Sequence, residues 1–161
     1  MGPQALTILD GLEFRTPTIL HSVEHLSEAD FRWRPASGGN SIAWLIWHIP
    51  EVEDNWIRDH VYGLPKRYPF GTSVKAASAQ EYPTKSALLT YFQEVRALTK
   101  ERLEKTLDAD FDRVISDDHF GAMTVRQLWG GVVSSCAWHG GQVVFIVNRL
   151  LPTRGPGHPA E

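Results

Sequence analysis

An all-α four-helix bundle with a long crossover connection is the fold this sequence predicts. Three observations lead there. Four long segments repeat their apolar residues at spacings of three and four, no segment alternates convincingly as a strand, and no internal repeat marks a solenoid or propeller. The second and third segments are joined by about twenty residues, longer than most bundle loops, so consecutive helices need not alternate in direction.

The first helix carries Leu6, Leu9, Leu12, Thr16, Ile19, Val23 and Leu26 on one stripe. Pro17 lies inside it and is expected to kink or split it near Arg15, because proline lacks an N–H and its ring crowds the carbonyl four residues back. Ser27 and Asp30 read as the cap of a short turn, followed by a loop at Pro35, Gly38 and Gly39. Asn40 or Ser41 caps the second helix, which runs to Gly63 with Ile42, Leu45, Trp47, His48, Val52, Asn55, Trp56 and Asp59 on its stripe. Pro50 should bend it just after His48.

Leu64 to Pro83 reads as a long connection, and Thr84 caps a third helix with Leu88, Leu89, Phe92, Val95, Leu98, Leu103 and Leu107 on its apolar side. A linker from Asp108 to Met123 follows, in which a short strand at Val114 and Ile115 stays open. Thr124 and Gln127 form a capping box that starts the fourth helix, Thr124 to Leu150. Its stripe is Val125, Leu128, Trp129, Val132, Val133, Cys136, His139, Val143 and Ile146. Two glycine pairs, Gly130–Gly131 and Gly140–Gly141, mark where a neighbour comes close to the backbone. The bundle domain is taken as residues 1–151, and the tail 152–161, rich in proline and glycine, as flexible.

Composition narrows the function classes. With 161 residues, 42% of them hydrophobic and 22% charged, the chain needs no metal or disulfide to fold. A net charge of −3 and a pI near 6.2 provide no electrostatic footprint for nucleic acid or an anionic membrane, so neither partner is expected. Cys136 is the single cysteine, which suits a reducing, cytoplasmic setting. The amino-terminal run shows no signal-peptide pattern, and no stretch is read as membrane-spanning.

His48 and His139 are the residues from which a site could be built, because each lies on the buried stripe of a different helix. Bundle cores assemble metal sites from facing helices, and imidazole suits zinc, nickel, iron and copper. Spacing alone equally describes two core histidines satisfied by hydrogen bonds. His21 and His25 have the i, i+4 spacing of a metal pair but lie off the first helix's stripe and are expected at the surface. His60, His119 and His158 have no partner at useful spacing. No nucleophile elbow, phosphate loop or dinucleotide fingerprint is present.

The run LSEADFRWRPASGGNSIAWLIWHIPEVEDNW, with HGGQVVFIVNRL later in the chain, resembles the DinB-like superfamily, which includes the mycothiol- and bacillithiol-dependent S-transferases. The resemblance implies a down-up-up-down bundle, often dimeric, with a divalent metal on three side chains. Two of these match His48 and His139. The third family ligand falls at Ser135, a poor donor, so a zinc or nickel ion is expected to be weakly held or absent. Glu51, three residues after His48, is an alternative third donor if the Pro50 bend turns it inward. Beside Glu53 and Asp54 it reads more simply as solvated. Cys136 reads as packing, and Gln142 as a packing or hydrogen-bonding residue one turn from His139.

Two function classes follow from the resemblance. One is a metal-dependent S-transferase acting with a low-molecular-weight thiol on a small electrophilic substrate. The other is a metal-free, small-molecule-binding or stress-associated protein that has lost the third ligand. A homodimer is expected in either case, with apolar surface around Trp33, Tyr62, Tyr68 and Tyr82 left to bury.

Overall fold

The computed structural model describes residues 1–35, 38–117 and 121–153, so His119, His158 and most of the proline-rich tail lie outside the described residues. Four long helices make the bundle: α1 (Pro3–Glu24), α3 (Ile42–Trp56), α4 (Lys85–Lys105) and α5 (Val125–Phe145), with a short α2 (Glu28–Arg32) after the first. Wider π-helical turns extend α3 over Ile57–Val61 and α5 over Ile146–Leu150.

The caps fall where the sequence puts them. Ser41 Oγ accepts from Trp44 N–H at 3.1 Å, Thr84 Oγ1 from Ala87 N–H at 3.3 Å, and Thr124 Oγ1 from Gln127 N–H at 3.2 Å. Gly63 ends the α3 column at φ +61°, the left-handed conformation that glycine adopts without a Cβ clash. Pro17 does not split α1, which stays helical from Pro3 to Glu24. Its stripe begins at Ala5, since Leu6 is half exposed, and Leu107 stands out in solvent beyond the end of α4.

Residue pairings fix the helix directions. Gly11 lies beside Val133 and Gly140 beside Ile19, so α1 and α5 run parallel. His48 meets His139 and Trp56 meets Gly131, so α3 and α5 run antiparallel. Glu53 meets Arg96 and Thr99 while Tyr62 meets Arg102, so α3 and α4 run parallel. This is the down-up-up-down order. Parallel neighbours need a connection that travels the length of the bundle, and residues 64–84 make that crossing. One glycine of each pair in α5, Gly131 and Gly140, is where a neighbour presses in. Gly130 and Gly141 face open space.

Three findings depart from the sequence reading. First, the acidic run on α3 is not solvated: Glu51 is 7% exposed, Glu53 2% and Asp54 0%. Cations supplied from elsewhere make this burial tolerable. Arg96 NH2 pairs with Glu53 at 3.1 Å, Arg102 NH1 with Asp54 at 2.9 Å and Arg67 Nε with Asp54 at 3.0 Å, while Thr99 Oγ1 donates to Glu53 at 2.6 Å. Buried charges persist only when paired in this way.

Second, the short strand left open at Val114 and Ile115 is present and has a partner not foreseen: the linker before α5 forms an antiparallel hairpin, β1 (Val114–Asp117) with β2 (Gly121–Thr124), in the register Ile115 opposite Met123. Third, Val125–Thr153 forms a helical column of 29 residues that is long and apolar enough, by length and composition, to cross a membrane. Its charge-free span from Gln127 to Asn148 corrects the expectation that no such stretch exists. One face packs on α1 and α3, and the other carries Ala137, Trp138, Gly141 and Phe145 where an ordinary surface helix carries charge.

Candidate functional site

Helical spacing on α3 and α5 builds a facing row. The His48 and His139 rings meet edge to face at 4.8 Å between centroids, and eight residues along each helix the Trp56 ring lies where a side chain at Gly131 would meet it. At about 1.5 Å of rise per residue, Val52 and Ser135 fall opposite one another between these two contacts. Ser135 is therefore on the histidine face, half-buried, one turn from His139.

Trp44, one turn before His48, stacks on it at 4.4 Å and 26° and meets His139 edge-on at 6.3 Å. His139 Nδ1 lies 3.4 Å from Gln142 Oε1, so the Nδ1–H tautomer donates there and leaves Nε2 unprotonated. His48 is 7% exposed, and its buried Nδ1 has no hydrogen-bond partner.

Electrostatics keeps both rings neutral. Burial pushes the His48 pKa down to about 4, helped by the neighbouring His139 and by the Lys75 ammonium. Burial also lowers His139, against the Gln142 hydrogen bond that raises it, and Lys75 lowers it further. Desolvation disfavours the imidazolium and a nearby cation adds to that penalty.

Lys75 comes from the crossover, which is fastened to α3. Glu51 accepts from Val74 N–H with both oxygens, at 3.1 and 3.3 Å, and Asn55 clasps Arg67 by accepting from its N–H at 2.7 Å and donating to its carbonyl at 3.1 Å. Arg32 holds the far end by donating to the carbonyls of Tyr82 at 2.7 Å and Pro83 at 2.9 Å. Burial raises the Glu51 pKa against the opposing Val74 N–H and the Lys75 charge. Glu51 thus turns inward, as the alternative third donor would have to, but its carboxylate is oriented onto the crossover backbone at Val74 N–H.

Cys136 faces away from the histidines, with Sγ 3.7 Å from Arg96 NH2, and burial pushes its thiol up. His21 and His25 are exposed on α1 as expected, with His21 Nδ1 3.5 Å from Glu24. His60 lies in the π-helical turns beyond α3, more than two helical turns from His48.

Two neutral imidazoles are good donors for a divalent ion, but among the described residues the rest of the set is missing. Position 135 is a hydroxyl, Glu51 is engaged and Cys136 is turned to α4. Among the described residues no group of three or more His, Cys, Asp or Glu side chains is arranged to hold an ion. The donors present do not fit the three-side-chain metal site that the resemblance implies.

The residues missed by sequence reasoning are Trp44, Lys75 and the walls of a polar cavity beside them. Trp44 was legible one turn from His48. Lys75 has no periodic signal, because the crossover that carries it has none.

Comparisons with known proteins agree with this fold. The family model described as DinB superfamily matches residues 12–143. The crystal structure of a conserved protein from Enterococcus faecalis superposes with a TM-score of 0.77 at 19% identity, covering 96% of this chain and 99% of that one. That likeness speaks for the fold alone. No curated protein sequence matches.

Proposed function

The chain belongs to the DinB superfamily, and from that premise we propose that its site is a metal-independent small-molecule-binding pocket built on the His48–His139 pair. The observation that carries this reading is the fate of the third donor. Ser135 stands on the histidine face, and Glu51, three residues after His48, has both oxygens on Val74 N–H at 3.1 and 3.3 Å. The Lys75 ammonium, which bears on both imidazoles, further disfavours a cation and favours a ligand carrying negative charge.

In this reading the chemistry is recognition. His139 Nε2 offers a lone pair fixed by the Gln142 hydrogen bond, His48 offers an unpartnered buried nitrogen, and Trp44 offers a flat apolar face. Pockets of this kind combine an apolar wall with a few fixed polar groups. The homodimer is part of the proposal, with its interface on the α5 face that exposes Trp138 (70%) and Phe145 (56%). Tyr62 and Tyr68 are partly exposed too, whereas Trp33 and Tyr82 pack against the core.

A metal-dependent thiol S-transferase is the second reading, and one observation favours it: two neutral imidazoles in contact are ready to accept an ion without losing protons. Titration with zinc and with nickel decides between them. The metal-independent reading expects weak binding by the parent and binding tighter by about tenfold or more once Ser135→His supplies an imidazole one turn from His139. Tight binding by the parent that His48→Ala abolishes would move the assignment to the transferase.

A further inference from the structure

A polar cavity of about 180 Å³ opens beside the histidine pair, lined by Arg34, Asn40, Ser41, Trp44, Lys75 and Tyr82 together with Val74 and Ala77. Two of these side chains are cations and none is a carboxylate. Arg34 is fixed in place, since its Nε and NH2 donate to Gly39 O at 3.1 and 2.9 Å. Its charge reaches the Tyr82 hydroxyl, whose pKa burial raises and Arg34 lowers. Lys75 bears on His48, His139 and the Glu51 carboxylate, and that carboxylate is turned to Val74 N–H.

Ser41 and Trp44, the cap and a first-turn residue of α3, form one wall of the cavity, and α3 is a helix of 15 residues. Ser41 Oγ takes the Trp44 N–H. The N–H groups of Ile42 and Ala43 have no intrahelical acceptor, and the positive end of the helix dipole points the same way. Behind Trp44 lies His48, more than nine-tenths buried, with Nδ1 lacking a partner. Guanidinium, ammonium, helix start and amide side chain thus converge on one small space. A cavity of this size is below the range that encloses a whole drug-sized ligand, about 300 Å³ and upward, so it suits one charged group of a larger molecule.

We propose that this cavity is an oxyanion subsite, which takes the carboxylate or phosphate group of a small molecule whose remainder lies against Trp44 and the His48–His139 pair. The proposal rests on the small-molecule-binding reading and adds the charge of the ligand and the end by which it is held. With Nε and NH2 anchored on Gly39 O, Arg34 keeps its remaining guanidinium N–H groups and its charge for an oxyanion, and Lys75 adds a point charge; these are the two kinds of cation that recognise such groups.

The test is a titration of the full-length, isotope-labelled protein at low ionic strength with inorganic phosphate and, separately, with acetate, followed by amide resonances. Sodium chloride and acetamide serve as controls. Saturable shifts are expected at Ile42, Ala43, Trp44 and Lys75 with at least one of the two oxyanions, whichever fits distinguishing phosphate from carboxylate. Lys75→Met and Arg34→Met should each weaken binding by about tenfold, with the rest of the spectrum unchanged as evidence of folding. Shifts that fail to saturate, that chloride reproduces, or that persist in both variants would overturn the subsite. Zinc titration of the same sample separates the two ideas. Oxyanion binding alongside tight zinc binding at the histidines would keep the subsite and remove the metal-independent reading, whereas weak zinc with no oxyanion binding would remove the subsite alone.

Discussion

Acidification should destabilise this protein through His48, by an amount that its surroundings fix. The ring is neutral in the fold with a pKa of about 4, against 6.5 for an unperturbed histidine. Between those values the unfolded chain binds a proton that the folded chain refuses. The contribution of His48 is therefore fully present above the unfolded value and is lost as pH falls toward the folded one. From about pH 7.5 to about pH 5.5 the loss from this residue is about 1.3 kcal/mol, and across the whole window it approaches about 3 kcal/mol. His139, also lowered, adds in the same direction. Glu51 and Glu53 oppose it, because burial raises their pKa values and acid relieves the cost of burying their charge. The assay is urea unfolding at both pH values for the parent and for His48→Gln, whose side chain does not titrate. The difference between the two proteins isolates the histidine, and the parent should lose about 1.3 kcal/mol more than the variant on acidification. Equal losses in the two would refute a buried neutral His48.

Three further outcomes are expected. Arg96→Met leaves Glu53 buried without its cation and should cost about 3–5 kcal/mol in chemical denaturation, whereas Thr99→Val, which removes only the 2.6 Å hydrogen bond, should cost about 1–3 kcal/mol. Ser135→His should raise zinc affinity by about tenfold or more in a chelator competition. Sedimentation of the parent at micromolar concentration should show a dimer of the 18.1 kDa chain, and Trp138→Glu with Phe145→Lys should shift it to monomer without loss of helix by circular dichroism.

Much of the fold was legible because its determinants are local. The caps at Ser41, Thr84 and Thr124 each satisfy an orphan N–H within their own turn, and the stripes through Leu12, Ile19 and Val23 or through Leu128, Val132 and Cys136 need only helical periodicity. The burial of Glu53 and Asp54 was illegible for the opposite reason. Their partners Arg96, Arg102 and Arg67 lie 13 to 48 residues away in sequence: the parallel packing of α4 on α3 brings the first two into reach, and the crossover brings Arg67. Trp138 and Phe145 lie off the apolar stripe of the fourth helix and stand in solvent here.

The site divides along the same line. The meeting of His48 and His139 follows from two helix stripes and was expected, and so was the surface position of His21 and His25. The Lys75 charge bears on the histidines because Glu51, Asp54 and Asn55 tie the crossover to α3, an arrangement with no periodic signature.

Elemental analysis of the untagged protein, purified from metal-replete cells without chelators, bears most directly on the central claim that the histidine pair serves a metal-independent pocket. The account predicts zinc and nickel far below one ion per chain, with no change in His48→Ala or His139→Ala. One ion per chain in the parent, lost in both alanine variants, would contradict it.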